Sequence, residues 1–287
     1  MSMKKVIMKT GIIASVLLFG ACAESQVRDD TEPATESEQS EDLIQDENSA
    51  ADESQNEKND DQDEDAEGSS RAEEESDEAN KEEIEKLKEE IKNPSSTAVL
   101  ANKKYSLPEA FIPENLVTVD VPTVLPNPEI KQMRGTAADA LKDMFEAAEK
   151  EGIILYARSG YRSYDTQVQL FKNYASKHGE EAANKYSARP GESEHQTGLV
   201  MDVTSESVNL QITSDFGETE EGQWVKENAH EYGFIIRYPE GKSDITGYIY
   251  EPWHLRYLGK ELASEVYESG LTYEKYLVER GLNIEIQ

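Results

Sequence analysis

Cysteine and histidine are both scarce in this chain, which has one cysteine and four histidines among 287 residues. A single cysteine excludes an internal disulfide. After the first twenty positions, no stretch reaches the roughly 18–20 apolar residues that a membrane-spanning helix needs. An excess of positive charge is also missing, because the formal net charge is −31. That balance argues against nucleic acid as a partner.

The start of the chain has the layout of a secretory signal. Basic side chains come first, a short apolar run from position 10 to 19 follows, and the small residues Gly20 and Ala21 precede Cys22. This order predicts a signal peptide over residues 1–21. The position of Cys22 resembles a bacterial lipobox, although Phe19 stands where leucine is usual. We therefore expect Cys22 to be diacylated and to anchor the protein to the membrane. The alternative is an ordinary signal peptide with an incidental cysteine.

Residues 22–96 form a strongly acidic segment. Positions 23–94 hold 29 Asp and Glu against 7 Lys and Arg, and no Phe, Tyr or Trp. Such a composition cannot bury enough apolar surface to offset chain entropy, and like charges keep it extended. We predict a disordered stalk, with an acidic tail that binds cations or a partner as the alternative. Within it, Asp77–Asn93 favours a short helix, since Ile84, Leu87 and Ile91 recur at helical spacing.

The remaining residues, 97–287, have a length that suits one domain. Helices and short strands alternate there without a regular β-α-β repeat, which indicates an α+β fold with a small antiparallel sheet flanked by helices. Helices are predicted at Thr136–Glu151, Ser163–Lys177, Glu220–Tyr232, Gly259–Ser269 and Tyr273–Gly281. Strands are predicted at Ile153–Ala157, Leu199–Val203 and Phe234–Tyr238, and Ile249–Tyr257 is expected to be largely extended.

Two segments carry the side chains of a hydrolytic metal centre. One runs from Ser193 to Asp202 and contains His195, and the other is Glu251-Pro252-Trp253-His254. Together they supply two imidazoles, a carboxylate that could ligate a metal, and a second carboxylate near a candidate ligand. Three protein ligands and a free glutamate are the minimum set for a zinc hydrolase, with water in the fourth position.

The spacing of these side chains requires two irregularities in the backbone. On a continuous strand, His195 and Asp202 would face opposite sides, because side chains alternate. They can share an ion only if His195 lies on a loop before the strand, and Gly198 offers the bend. Glu251 and His254 likewise need a turn or bulge near Pro252. The alternative is a core histidine beside a surface carboxylate.

The same segments resemble the signature blocks of VanY-type D-alanyl-D-alanine carboxypeptidases. The family pattern is Ser-x-His-x-x-Gly-x-x-x-Asp followed by Glu-x-x-His, and this chain meets every fixed position. A third block is Ser159-Gly160-Tyr161-Arg162-Ser163. The resemblance covers about Pro108 to Leu262. These zinc enzymes and the related L,D-carboxypeptidases trim peptidoglycan stem peptides and share the Hedgehog/D,D-peptidase fold. The resemblance therefore implies that fold for this chain.

The resemblance also implies a role for each site residue. His195, Asp202 and His254 would bind one zinc ion, and Glu251 would be the catalytic base. Arg162 would bind the substrate carboxylate and stabilise the transition state, with a surface ion pair as the alternative. The side chains implied to line the substrate pocket are Gln167, Ser193 and Tyr238. Tyr161 and Trp253 are further candidates, although aromatic residues on strands more often belong to the core. His178 and His230 fall outside the blocks and are interpreted as surface histidines.

The expected function is therefore removal of a terminal D-alanine from peptidoglycan stem peptides, of either D,D or L,D linkage. Two alternatives stay open: an endopeptidase of the same fold, and a non-catalytic zinc module that binds wall peptide. The presence of Glu251 favours an enzyme. We expect a monomer at the outer face of the bacterial cytoplasmic membrane, facing the cell wall.

Overall fold

The computed structural model describes residue 78 and residues 80–286. Residues 1–21, Cys22 and most of the acidic segment lie outside the described residues. The signal, the lipid anchor and the disordered stalk therefore stay predictions. Within the described part of the chain, no helix combines the length and the apolar character needed to cross a membrane.

A four-stranded antiparallel sheet carries the domain. Its strand order is β3-β4-β6-β5, with a separate two-stranded sheet formed by β1 and β2. The strands are β1 (Leu116–Thr118), β2 (Gln132–Arg134), β3 (Tyr156–Ser159), β4 (Val200–Thr204), β5 (Phe234–Tyr238) and β6 (Glu251–Tyr257). The predicted α+β class with a small antiparallel sheet is confirmed.

Eight α-helices surround these strands in the described residues. The first, α1, spans residues 80–90. The others are α2 (Gly135–Lys150), α3 (Tyr164–His178), α4 (Glu180–Ala183), α5 (Glu220–Asn228), α6 (Ser243–Thr246), α7 (Lys260–Ser269) and α8 (Tyr273–Glu279). The predicted helix over Glu220–Tyr232 is divided, because residues Ala229–Tyr232 continue as a 3-10 helix.

Strand β3 begins later than the predicted Ile153. Gly152 ends α2 with a φ of 83°, and the Ile153 amide then donates to the Ala148 carbonyl at 2.9 Å. This six-to-one hydrogen bond is the closure of a helix C-terminus. Ile153 is therefore used to end α2 and does not pair in the sheet.

The main core lies between α2 and one face of the sheet. Helix α2 buries Leu141, Met144 and Ala148 against Met201 and Val203 of β4. Burial of each large side chain stabilises the fold by about 1.5–3 kcal/mol. Side chains alternate along a strand. Asp202, between Met201 and Val203, therefore points away from α2, and the opposite face of the sheet is left for a site.

A second core cluster joins the two ends of the described chain. Ile91 and Leu100 are buried with Tyr273 and Leu277 of α8, and Ile84 and Leu87 pack against them. The predicted helix within Asp77–Asn93 is confirmed. Packed structure thus begins before position 97, where the sequence led us to start the domain. The reason is that Ile84, Leu87 and Ile91, three aliphatic side chains of the acidic segment, belong to this cluster.

Candidate metal centre and active site

A cleft of about 470 Å³ opens on the face of the sheet that α2 leaves free. Side chains from β3, β4, β5 and β6 and from α3 converge on it. Among those predicted from the sequence, the cleft is lined by Arg162, Ser193, His195, Asp202, Tyr238, Glu251, Trp253 and His254. Residues separated by more than 90 positions in the chain are thus brought into one site.

His195 lies on a 3-10 turn directly before β4, as the spacing predicted. The turn spans Glu194–Thr197 and ends at Gly198, whose φ is 68°. His195 Nδ1 donates to the carbonyl of Gly160 at 2.7 Å, which leaves Nε2 facing Asp202 Oδ2 at 3.5 Å. A side chain at Gly160 would place its Cβ 2.5 Å from the Gln132 carbonyl. Glycine is therefore required where the backbone holds His195.

The second histidine faces Asp202 across the sheet. His254 and Asp202 are direct partners in the pairing of β4 with β6, and His254 Nδ1 lies 3.2 Å from Asp202 Oδ1. The pairing of β5 with β6 shifts register between Ile236 and Tyr238. That bulge brings Glu251 to the face of His254, with Glu251 Oε2 at 3.7 Å from His254 Nδ1. The irregularity predicted near Pro252 is confirmed.

The three donor groups fit one small metal ion. Ligand atoms of His195, Asp202 and His254 all lie within 4.8 Å of one another. Two atoms bound to one zinc at about 2.0–2.2 Å in tetrahedral geometry are roughly 3.4 Å apart, close to the two donor distances given above. Asp202 Oδ1 is buried and accepts no hydrogen bond from any described residue. A cation would satisfy this oxygen, whereas Glu251 stands beside the donor set.

The electrostatics around the two histidines differ. Burial, together with the positive charge of Arg162, lowers the pKa of His195 to about 3. Burial also disfavours charge on His254, but the adjacent carboxylates of Asp202 and Glu194 outweigh this and raise the pKa to about 9. Burial raises the pKa of Glu251 to about 7. Carboxylates thus surround His254, and this part of the cleft attracts positive charge.

Arg162 is held by neutral partners. Its Nη1 donates to Gln167 Oε1 at 2.9 Å, and its Nη2 donates to Ser159 Oγ at 3.3 Å. Gln167 is buried behind Arg162 and donates to the Ala188 carbonyl at 2.6 Å. The contacts of Gln167 therefore fix the guanidinium of Arg162, and Arg162 is the residue that reaches the cleft. With neutral partners, its charge remains available to a ligand.

The aromatic candidates fall into two groups. The ring of Tyr238 lies 4.8 Å from that of His254, and burial holds the pKa of the Tyr238 hydroxyl well above its usual value. Trp253 is partly buried, lines the cleft and also packs against the main core. Tyr161 does not line this cleft. It is buried and borders a separate depression beside Phe111.

The two histidines outside the motifs have different environments. His178 is exposed, as predicted. His230 is only half-exposed, and its ring stacks on Tyr267 with centroids 3.7 Å apart. The prediction of a plain surface residue is therefore wrong for His230, because α7 places Tyr267 over it.

A buried cluster of four charged side chains adjoins the candidate metal centre, and the sequence analysis did not predict it. Glu194 Oε2 lies 3.4 Å from His254 Nε2, and Glu194 Oε1 accepts from Arg237 Nε at 2.8 Å and Arg256 Nη1 at 2.7 Å. Arg237 also donates through two nitrogens to Glu274 of α8, one of these bonds being 2.8 Å. All four side chains are almost completely buried.

This cluster, defined by Glu194, Arg237, Arg256 and Glu274, sets the tautomer and orientation of His254. A ligating histidine commonly donates its second nitrogen to a carboxylate, which fixes the ring and raises its basicity. The signal in the sequence was an arginine inside each of two apolar strands, since Arg237 and Arg256 interrupt otherwise hydrophobic runs. Charged residues at such positions are buried only when they are paired.

Comparison with known proteins agrees with this geometry. The model of the VanY family, described as D-alanyl-D-alanine carboxypeptidase, matches residues 130–260. The protein named Putative carboxypeptidase YodJ from Bacillus subtilis (strain 168) is 51% identical over 189 residues, which are 66% of this chain and 69% of that protein. The chain belongs to the VanY family. This membership supports a peptidase role.

Solved structures of VanY-family proteins share the fold. The structure of the LdcB LD-carboxypeptidase is 50% identical with a TM-score of 0.63, over 65% of this chain and 87% of that one. A mutant of the VanY D,D-pentapeptidase from a VanB-type vancomycin resistance cassette, in complex with Zn(II), is 32% identical with a TM-score of 0.51, over 62% and 97%. The expected Hedgehog/D,D-peptidase-like fold is confirmed.

The charge cluster leads to a prediction about stability. Glu194→Ala should lower the free energy of unfolding by about 3–5 kcal/mol, because it leaves two buried arginines with one carboxylate. Denaturant unfolding at neutral pH would measure this. Glu149→Ala, which removes an exposed carboxylate from α2, is the control and should change stability by less than about 0.5 kcal/mol. Equal stability of the two variants would contradict the assignment.

Proposed function

We propose that this protein is a zinc-dependent carboxypeptidase that removes the terminal D-alanine from peptidoglycan stem peptides during cell-wall remodelling. One observation carries the proposal: a three-residue metal donor set, a separate buried carboxylate and an arginine held by two neutral side chains share one cleft. Membership in the VanY family and the zinc in a related structure support it. An endopeptidase would have less use for a cation that binds a terminal carboxylate.

Sequence identity to relatives of known specificity ranks the two candidate substrates. The chain is 50% identical to an LD-carboxypeptidase and 32% identical to a D,D-pentapeptidase. We therefore propose a tetrapeptide, in which the terminal D-alanine follows an L-configured centre, as the first substrate to test. A pentapeptide ending in D-alanyl-D-alanine is the second.

His195, Asp202 and His254 would hold the zinc ion. A zinc ion in such a site acts as a Lewis acid and makes a water nucleophile available near neutral pH. Gly160 and Glu194 fix which nitrogen each histidine presents, Nε2 for His195 and Nδ1 for His254. The protein thereby prepares the donor set before any ion arrives.

Glu251 is the proposed proton carrier. Its carboxylate would accept a proton from the attacking water and pass it to the leaving amine. Burial raises its pKa in the metal-free site, and a base whose pKa lies near the working pH can both take up and release the proton. The bulge in β6 places this carboxylate beside His254 and within the cleft.

Arg162 is the proposed anchor for the carboxylate at the substrate C-terminus. A planar guanidinium binds a carboxylate through two parallel hydrogen bonds, a geometry that lysine cannot match. Gln167 and Ser159 hold its orientation without cancelling its charge. Tyr238 and Ser193 line the same cleft and offer hydroxyl groups to the substrate.

Mass spectrometry of purified muropeptides tests the proposed function. The zinc-loaded full chain should convert tetra- or pentapeptides by loss of one alanine, and a C-terminal amide should be a poor substrate. Chelation should abolish the loss, and zinc should restore it. The variant His254→Ala should lose both bound zinc and activity. Release of a larger peptide would establish the endopeptidase instead, and peptide binding without any release would establish the binding module.

The role of Glu251 predicts a separation of metal binding from turnover. Glu251→Gln should keep about one zinc per chain, because Glu251 is not in the donor set, while kcat falls by about 10²–10⁴. Metal analysis and initial rates on the same preparation would show this. Near-normal turnover of the variant would assign the proton transfer to another group.

We also propose that Cys22 anchors the protein to the outer face of the cytoplasmic membrane, so that the cleft faces the cell wall. The support is the signal-like order of residues before Cys22. Cys22→Ser should move the protein from the membrane fraction to the soluble fraction and leave the activity of the domain intact. Retention of the variant in the membrane fraction would contradict lipidation.

A further inference from the structure

The mechanism proposed above does not use Arg158, yet this residue also lines the cleft. The pairing of β3 with β4 runs from Ala157 opposite Val203 to Ser159 opposite Asp202, so β3 contains one extra residue. That residue is Arg158. A β-bulge leaves its extra residue unpaired and redirects a side chain, and bulges are frequent beside active sites.

The Arg158 guanidinium carries a charge that nothing in the described residues neutralises. Its Nε and Nη1 atoms are buried and donate to no described residue. Buried guanidinium groups are ordinarily paired, because burial without a partner is unfavourable. Arg162, in the same cleft, has its two assigned partners. Arg158 is therefore a second cation of the cleft with unused donors.

Arg158 lies beside the candidate metal centre, on the neighbouring strand. It stands between Ala157, which pairs with Val203, and Ser159, which pairs with Asp202, so it lies within about one residue, or ~3.4 Å along the strand, of the register of Asp202. The Val124 amide donates to the Ala157 carbonyl at 3.0 Å, and this contact brings the adjoining Leu125 to the same end of the cleft. Apolar surface and a free cation thus lie together, a short distance from the proposed point of cleavage.

We propose that Arg158 binds a second carboxylate of the substrate, one carried by a residue on the amino side of the cleaved bond. This inference rests on the proposed function and adds a specificity-determining residue to it. A stem peptide contains γ-linked glutamate and, in many cases, a diaminodiacid, and each has a free carboxylate within a few residues of the terminal alanine. Leu125 would contact the aliphatic part of such a residue, while the guanidinium pairs with its carboxylate.

A matched pair of peptides tests this. The two peptides are identical except that the upstream carboxylate is free in one and converted to the carboxamide in the other. The zinc-loaded full chain should favour the free acid by about ten- to a hundred-fold in kcat/KM, as a desolvated charge-assisted pair allows. Arg158→Gln should reduce this ratio to below about three. Arg158→Lys should keep part of the preference, because it keeps the charge but not the planar fork.

Two controls keep the outcome specific. Lys150→Gln removes an exposed positive charge from the end of α2 and should retain the wild-type ratio. Zinc content and the thermal unfolding midpoint of Arg158→Gln show whether the variant is folded. If Arg158→Gln lowers kcat/KM equally for both peptides, the role of Arg158 is structural and the proposal is wrong.

Failure of the inference can be told apart from failure of the proposed function. Equal cleavage of the two peptides by the wild type would overturn the role of Arg158 and leave the carboxypeptidase intact. If the wild type cleaves neither peptide, the proposed function fails, and calorimetric binding of both peptides to zinc-loaded Glu251→Gln decides the question. A preference for the free acid would uphold the Arg158 site, and equal binding would overturn it.

Discussion

The neutrality of one buried charge cluster is the constraint on which the rest of the structure depends. Two arginines and two glutamates are buried. The carboxylate of Glu194 accepts from both arginines, and that of Glu274 accepts from Arg237. Such a group is costly to desolvate and very costly to break. Because Arg256 also donates to the carbonyls of Thr97 and Val99, the cluster joins the beginning of the domain, α8 and the candidate metal ligand His254.

Departures from regular sheet geometry build the site. A bulge at Arg158, the left-handed turn at Gly198 and the bulge around Pro252 all lie where strands meet the cleft. In an ideal sheet, half of the functional side chains would face the core. The irregular positions bring carboxylates, imidazoles and guanidinium groups to one face, while the unbroken parts of β4 and β6 continue to bury apolar side chains against α2 and the core.

Much of the site could be predicted from the sequence, and the reasons are local. Gly198 and Pro252 mark the two irregularities that the ligand spacing required. The apolar side chains of α2 recur at helical spacing, so this helix was predicted. Glu194 could not be assigned a role, because its partners Arg237 and Arg256 lie 43 and 62 residues away. The bulge at Arg158 has no glycine or proline to mark it. The early start of packing followed from only three aliphatic side chains in an acidic background.

The neutral support of Arg162 has a consequence for what leaves the cleft. Because Gln167 and Ser159 contribute no charge, the cleft is positive at Arg162, whereas the carboxylate of Glu251 lies near His254. A free amino acid is a zwitterion, and its carboxylate and ammonium groups are complementary to these two charges. Under the proposed function, a released alanine would form two ion pairs in the cleft, its carboxylate with Arg162 and its ammonium with Glu251. Under the proposed function, the groups that orient the scissile residue would therefore also bind the product, and departure of the product would become a step of the catalytic cycle.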